Sequence, residues 1–329
     1  EMQMMDVLNY GGLEANVALM AAPVNTGWAP SAPTVPSPAD TGPQFTGRDP
    51  AAGAGEEQDS RPNPNLLLAD APAYAVELWA SEFVNWPDVT VPGAWNVITG
   101  GMASYYAGDF LLGDFSKLYI VSDINDFGTL DTATGAFTSI GMATPGGGES
   151  WTGITASGTG TLYASGTTCS ASTLYTIDPA TADVTPIGPI TDGPCIIDIA
   201  MNASGQLYGV DIINDTLVMI DPVTGAGTVV GPTGFAANYA QGLDFDEVAG
   251  VLYWASYGGG GDGALRIIDT MTGASTLVGD FPGSVEVASF AVATFAGGGG
   301  GLPWLVLTPD EGVVPPAAGE PGMLPVDAE

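Results

Sequence analysis

The chain contains no histidine, and only four cations, Arg48, Arg61, Lys117 and Arg266, stand against 37 acidic residues, a formal net charge of −33. Without imidazole, Ser-His-Asp and Cys-His nucleophilic catalysis, histidine general bases and histidine-ligated zinc are excluded. Any catalysis rests on carboxylates, Tyr, Ser/Thr or a hard cation. A surface this negative repels phosphate backbones and anionic headgroups, so neither nucleic acid nor electrostatic membrane docking is expected. No apolar run approaches the roughly 18 residues of a membrane span, so membrane insertion is not expected either. Charged residues make up only 12% of the chain, far below a halophile surface, whereas 48 Gly and 26 Pro mark a protein of many turns. The first 22 residues have no initiator Met and no basic n-region; they read as an end left after signal removal, which predicts an extracellular protein.

Composition divides the chain into three zones. Residues 1–74 open with MQMMDVLNY and then run through Pro/Ala/Gly-rich stretches such as APSAPTVPSPADTGP. Residues 296–329 open on Gly297 to Gly301 and close on VVPPAAGEPGMLPVDAE. Neither can bury enough apolar area to offset chain entropy alone, so both read as extensions without a core.

Between them, at 75–295, lies a repeat. The pair Leu-Tyr recurs with its tyrosines at Tyr119, Tyr163, Tyr208 and Tyr253, at intervals of 44, 45 and 45 residues. After each pair comes an aspartate turn: LDTATGAFTSIG from Leu130, IDPATADVTPIG from Ile177, IDPVTGAGTVVG from Ile220 and IDTMTGASTLVG from Ile268. Asp caps such a turn through its side chain and Gly tolerates positive φ, so the flanks read as strands of a hairpin. Another short apolar strand precedes each Leu-Tyr strand: YYAGDF, WTGIT, CIIDIAM and YAQGLDF. Four strands per period leave no room for a helix, and that is one propeller blade.

Four full blades need a closing unit. VEVASFAVATF, from Val285, supplies a first strand with no Leu-Tyr strand behind it. The other strands stand at the opposite end: AVELWASEF, with Leu78-Trp79 read in the Leu-Tyr place, and AWNVITG as the outer strand. The 221 residues from 75 to 295 then divide into five units of about 44. The predicted fold is all-β: a five-bladed β-propeller closed by strands from both chain ends, with extended tails. The rival is a separate hairpin over 75–100 and a ring of another blade count.

Cys169 follows the second strand of its blade and Cys195 opens the first strand of the next, on the same face of the disc. An oxidising compartment favours a 169–195 disulfide over two buried free thiols.

The unit LY...IDPxTGxxTxVG resembles the propeller-like repeats of large secreted and cell-surface bacterial proteins, where they stand beside subtilisin-like protease or immunoglobulin-like modules. The likeness covers about two thirds of the chain and implies the fold, not an activity. PWLVLTPDEGVVPPAAGE, from Pro303, is similar to the opening strand of such an immunoglobulin-like module, and the sequence stops before the module is complete.

Several residue groups are candidates for chemistry. Asp123, Asn125 and Asp126, and likewise Asp211, Asn214 and Asp215, place oxygen ligands in loops that suit Ca²⁺, although neither matches an EF-hand loop and solvated turn aspartates are the commoner use. No cofactor is required by the repeat itself. Asp109, Asp198 and Asp244 fall on inner strands and are placed to line the channel, where converging acids support hydrolysis. Asn202 and Asn214 open N-glycosylation sequons in loops. Of seven tryptophans, Trp79, Trp86, Trp95, Trp151 and Trp254 lie in blade strands or their connections and are expected to pack between blades; Trp28 and Trp304 lie in the tails. The reading these features favour is a non-enzymatic extracellular structural protein whose partner is itself, its tails docking on neighbouring copies into a filament or lattice. The alternatives are a ligand- or protein-binding module released from a larger secreted protein, and a carboxylate-dependent hydrolase.

Overall fold

A computed structural model describes residues 71–296. The extensions expected at 1–74 and 296–329, with Trp28 and Trp304, lie outside the described residues except at 71–74 and 296. Twenty strands form five four-stranded antiparallel sheets, and the described residues include no α-helix.

Blade two runs β4 (Tyr105–Leu111), β5 (Asp114–Ser122), β6 (Asp126–Asp131) and β7 (Phe137–Met142) from channel to rim. Blade three follows as β8 (Ser150–Ala156), β9 (Leu162–Thr167), β10 (Ser172–Ile177) and β11 (Val184–Ile190). Blade four is β12 (Ile196–Met201), β13 (Leu207–Asp211), β14 (Thr216–Ile220) and β15 (Gly227–Pro232). Blade five is β16 (Gly242–Asp246), β17 (Val251–Ser256), β18 (Ala264–Ile268) and β19 (Ser275–Asp280). Blade one takes its inner strand from the C-terminal side, β20 (Val287–Val292), and the rest from the N-terminal side: β1 (Ala73–Glu77), β2 (Glu82–Trp86) and β3 (Asn96–Gly100). Pairing of β20 with β1, Ala73 opposite Val292 and Glu77 opposite Val287, closes the ring, and the rival of a free hairpin at 75–100 falls.

One expectation needs correction. In the regular blades the Leu of Leu-Tyr faces the last apolar residue before the aspartate turn, as Leu162 faces Ile177 and Leu207 faces Ile220. In blade one that place belongs to Ala73, opposite Trp86, so Ala73-Tyr74 and not Leu78-Trp79 is the equivalent pair. Leu78 and Trp79 fall in the turn between β1 and β2. The volume is conserved across the pair, a small residue facing a large one, which hides the position from a search for leucine.

Each sheet is covered on both faces, so the core is split into five clusters, one per blade junction. Trp86, Phe290, Tyr253 and Leu265 fill the junction of blades five and one. Leu118, Leu130, Phe83 and Val76 fill that of one and two. Corresponding clusters centre on Leu162, on Leu207 and on Trp254. A fully buried Leu or Ile stabilises by about 1.5–3 kcal/mol, and these junctions hold the disc together.

The repeat signature also explains the rim. A Cβ on Gly188 or Gly231, the last glycine of two outer strands, would strike the carbonyl oxygen of Thr224 or Thr272 in the following blade's aspartate turn. The turn's Thr-Gly and the closing Gly of the previous unit are therefore a packing pair. Blade one departs from the rule: Thr99 fills the glycine place and lies against Gly135 of blade two's turn.

Candidate functional site

The inner strands β4, β8, β12, β16 and β20 contact one another around the channel, and their polar side chains stitch successive blades together. Asp109 Oδ1 accepts from its neighbour Phe110 N (2.6 Å), while Oδ2 accepts from Ala156 N of blade three (2.7 Å). Asp244 repeats this, taking Phe245 N and, in blade one, Val292 N, both at 2.7 Å. Thr155 occupies the same place in blade three, its Oγ1 accepting from Met201 N at 3.0 Å. Asp198 sits two residues earlier on its strand but spans the next junction, accepting from Ile199 N and Leu243 N at 2.8 Å each. Bridges thus cross the junctions two–three, three–four, four–five and five–one. On β20, Ser289 is fully buried and its Oγ has no hydrogen-bond partner among the described residues.

Burial dominates the electrostatics here. It pushes the Asp109 carboxyl up to about 7 and those of Asp198 and Asp244 well above the ordinary carboxylate range, outweighing the amide bonds that favour the charged form. Glu247, beside them at one mouth, is raised for the same reason. Asp109, Asp244 and Glu247, with Leu112 and Phe295, line a cavity of about 10 Å³. Such a space admits about one water molecule. A sugar ring does not fit between the three acids.

The structure thus brings Asp109 and Asp244 together at one mouth and places Asp198 deeper in the channel wall. Glu247 and Thr155 belong to the same constellation and went unread in the sequence. Glu247 carried a signal, three residues beyond Asp244; Thr155 carried none, because a hydroxyl does in blade three what a carboxylate does in its neighbours.

The two loops singled out for Ca²⁺ lie apart, in the β5–β6 turn of blade two and the β13–β14 turn of blade four. Asp211 is wholly buried; Oδ1 accepts from Cys195 N (2.8 Å), and Oδ2 from Asn214 N (3.1 Å) and Nδ2 (2.7 Å). Asp215 Oδ1 accepts from Ala237 N at 2.9 Å, and Asp126 accepts from Ser139 Oγ. Asn125 adopts φ 66° in its turn, and Asp123 N donates to Ser104 O. Among the described residues, no three His, Cys, Asp or Glu side chains gather to hold a metal. Of the sequon residues, Asn214 is exposed and Asn202 half-buried, its Oδ1 accepting from Ser204 N and Oγ and from Gln206 N.

Cys169, in the β9–β10 turn, and Cys195, just ahead of β12, form a disulfide between blades three and four. Closing a loop whose ends stand 26 positions apart in the sequence removes freedom from the unfolded chain. Replacing both by Ala is expected to lower the unfolding free energy by about 3–4 kcal/mol in urea titration, and a change below about 1 kcal/mol would contradict it.

A family model described as a repeat of unknown function (DUF6923) matches residues 118–289, from the first Leu-Tyr pair into β20. No curated protein matches the chain. Among solved structures, a chain of a nidogen/laminin complex is 11% identical with a TM-score of 0.47, covering 68% of this chain and 98% of its own. Regucalcin, a calcium-binding protein from Agrobacterium tumefaciens, is 20% identical with a TM-score of 0.42, covering 62% of this chain and 68% of its own. A gluconolactonase from Xanthomonas campestris is 11% identical with a TM-score of 0.44, covering 65% and 77%.

Proposed function

We propose, for a chain that belongs to the DUF6923 repeat family through residues 118–289, a non-enzymatic role as an extracellular structural subunit that assembles with copies of itself. The observation that carries it is the rim. Each of β3, β7, β11, β15 and β19 is the last strand of its sheet among the described residues, which leaves an outer edge where a further strand can add. On three of them the same position, two residues before the closing Gly or Thr, exposes an aliphatic side chain: Val97 at 51%, Val229 at 45% and Leu277 at 52%. An extended apolar segment adds to such an edge through main-chain hydrogen bonds, its side chains covering the aliphatic row. Residues 302–308, LPWLVLT, have the length and composition for that partner, and a segment docked on the next copy propagates as a filament or lattice.

The channel supports the non-enzymatic half of the reading, since its carboxylates are occupied by backbone amides and its mouth holds little more than a water. The disulfide supports an oxidising, extracellular setting. Electron microscopy of the full chain, beside a chain lacking 1–70 and 302–329, tests the proposal. Assemblies from the first and monomers from the second are expected; assemblies persisting without both segments, or a full chain that stays monomeric, would overturn it.

A further inference from the structure

Trp79 departs from the expectation that the blade tryptophans pack between blades. Trp86, Trp151 and Trp254 are buried and Trp95 packs on Phe281, but Trp79 is 40% exposed at the junction of blades five and one. It is nonetheless held on several sides. Glu77, itself buried, takes Trp79 N (2.7 Å) and Ala80 N (2.6 Å) and fixes the turn. The indole hydrogen-bonds the carboxyl of Glu286, which also accepts from Ala240 N at 2.9 Å. Tyr257 packs edge-on against it, centroids 6.2 Å apart, and Tyr239 lies 6.0 Å beyond Tyr257.

The surroundings are built to the same end. Tyr239 adopts φ 64°, a conformation unfavourable for a bulky side chain that persists only where neighbours impose it. Its ring lies against the loop of Gly259, Gly260 and Gly261, all at positive φ; a Cβ on Gly259 would come within 3.0 Å of that ring. Gly260 N donates to Tyr257 Oη and Gly258 N to Asp262 Oδ1, leaving Gly260, Gly261 and Asp262 exposed beside the aromatic group.

We propose that Trp79, with Tyr257, Tyr239 and the 258–262 loop, forms a binding site for a neutral carbohydrate. The apolar face of a pyranose stacks on a fixed indole whose ordering cost is already met by its hydrogen bond and ring contact. The exposed backbone of Gly260 and Gly261 and the Asp262 carboxylate then supply partners for ring hydroxyls. The net charge of −33 disfavours anionic sugars. A cation fits less well, because the carboxyls of Glu77 and Glu286 are turned inward onto amides and the indole.

Calorimetric titration of the full chain with cellohexaose, chitohexaose, maltoheptaose and laminarihexaose tests the site, with tetramethylammonium chloride as the cation probe. At least one oligosaccharide is expected to bind and the ammonium to give no heat. Trp79→Ala should weaken binding by about tenfold or more, while Trp79→Tyr, which keeps a stacking surface, stays within about threefold. Circular dichroism melts establish that each variant is folded; should Trp79→Ala not fold, saturation transfer from aromatic protons of the unmodified protein to the sugar gives the same answer. No heat with any of the four sugars, undiminished binding by folded Trp79→Ala, no transfer, or heat only with the ammonium would overturn the proposal. None of these outcomes bears on self-assembly.

Discussion

Asp198→Ala is expected to lower the unfolding free energy by about 3 kcal/mol or more at neutral pH, the largest loss anticipated for any one channel side chain. Asp198 is 1% exposed and both its oxygens are used, one on Ile199 N within blade four and one on Leu243 N in blade five. Truncation leaves two buried amides without an acceptor, at about 1–3 kcal/mol each. Its φ of 70° adds to this, because Asp and Asn visit the left-handed region more readily than Ala does, at a difference of about 1 kcal/mol. Relief from burying a carboxyl offsets part of the sum. Asp198→Asn separates the contributions: it keeps the backbone tolerance and one acceptor, so a loss of about 1–2 kcal/mol is expected. Urea unfolding followed by tryptophan fluorescence measures both. A loss below about 1 kcal/mol for the alanine variant would show that the bridge between blades four and five is not what holds that junction.

The contrast between Asp198 and its counterparts shows what the sequence made legible. The 44- to 45-residue period, the aspartate turns and the closing glycines repeat because every blade must meet its neighbour at the rim in the same way, and Gly188 and Gly231 meet the same threonine carbonyl in successive turns. The ring closure, the strand count and the Cys169–Cys195 pairing follow from that regularity. The channel does not repeat. Asp109, Thr155 and Asp244 bridge from one position and Asp198 from another, two residues earlier, so acids were recognisable there but their common task was not. Blade one escaped for a related reason: Ala73 facing Trp86 conserves volume, and Leu78-Trp79 offered a more familiar pair five residues away. The exposed setting of Trp79 depends on Glu286, some two hundred residues along the chain, which no local pattern could reveal.

Stability is expected to be greatest at mildly acidic pH and to fall as the solution is brought to neutrality. Asp109 titrates near 7 in the folded state against an ordinary 3.8, so between those values the folded chain binds a proton that the unfolded chain has released. Unfolding free energy then decreases as pH rises: the stabilisation is fully present below about 4 and is lost as pH passes through about 7. Asp198 and Asp244, whose carboxyls burial also raises, act in the same direction. A shift of this size corresponds to a limit on the order of 4 kcal/mol for Asp109, shared within the group because Asp109, Asp244 and Glu247 lie close enough to influence one another. Turn aspartates such as Asp131 and Asp221 have lowered values, from hydrogen bonds with Thr134 and Val223 respectively, and withdraw stability only below the ordinary range. Calorimetric Tm is therefore expected to peak near pH 4–5 and drop by about 5–10 °C by pH 8. Repulsion among the surface acids changes in the same sense, but it is screened by salt, whereas carboxyls sealed in the channel are not. The decline should accordingly survive 0.5 M NaCl, and Asp109→Asn should flatten it by removing a titrating group while keeping one acceptor oxygen. A Tm that is level or rising from pH 4.5 to 8 in high salt would mean that the channel acids stay ionised in the folded protein, held by their amide bonds against burial.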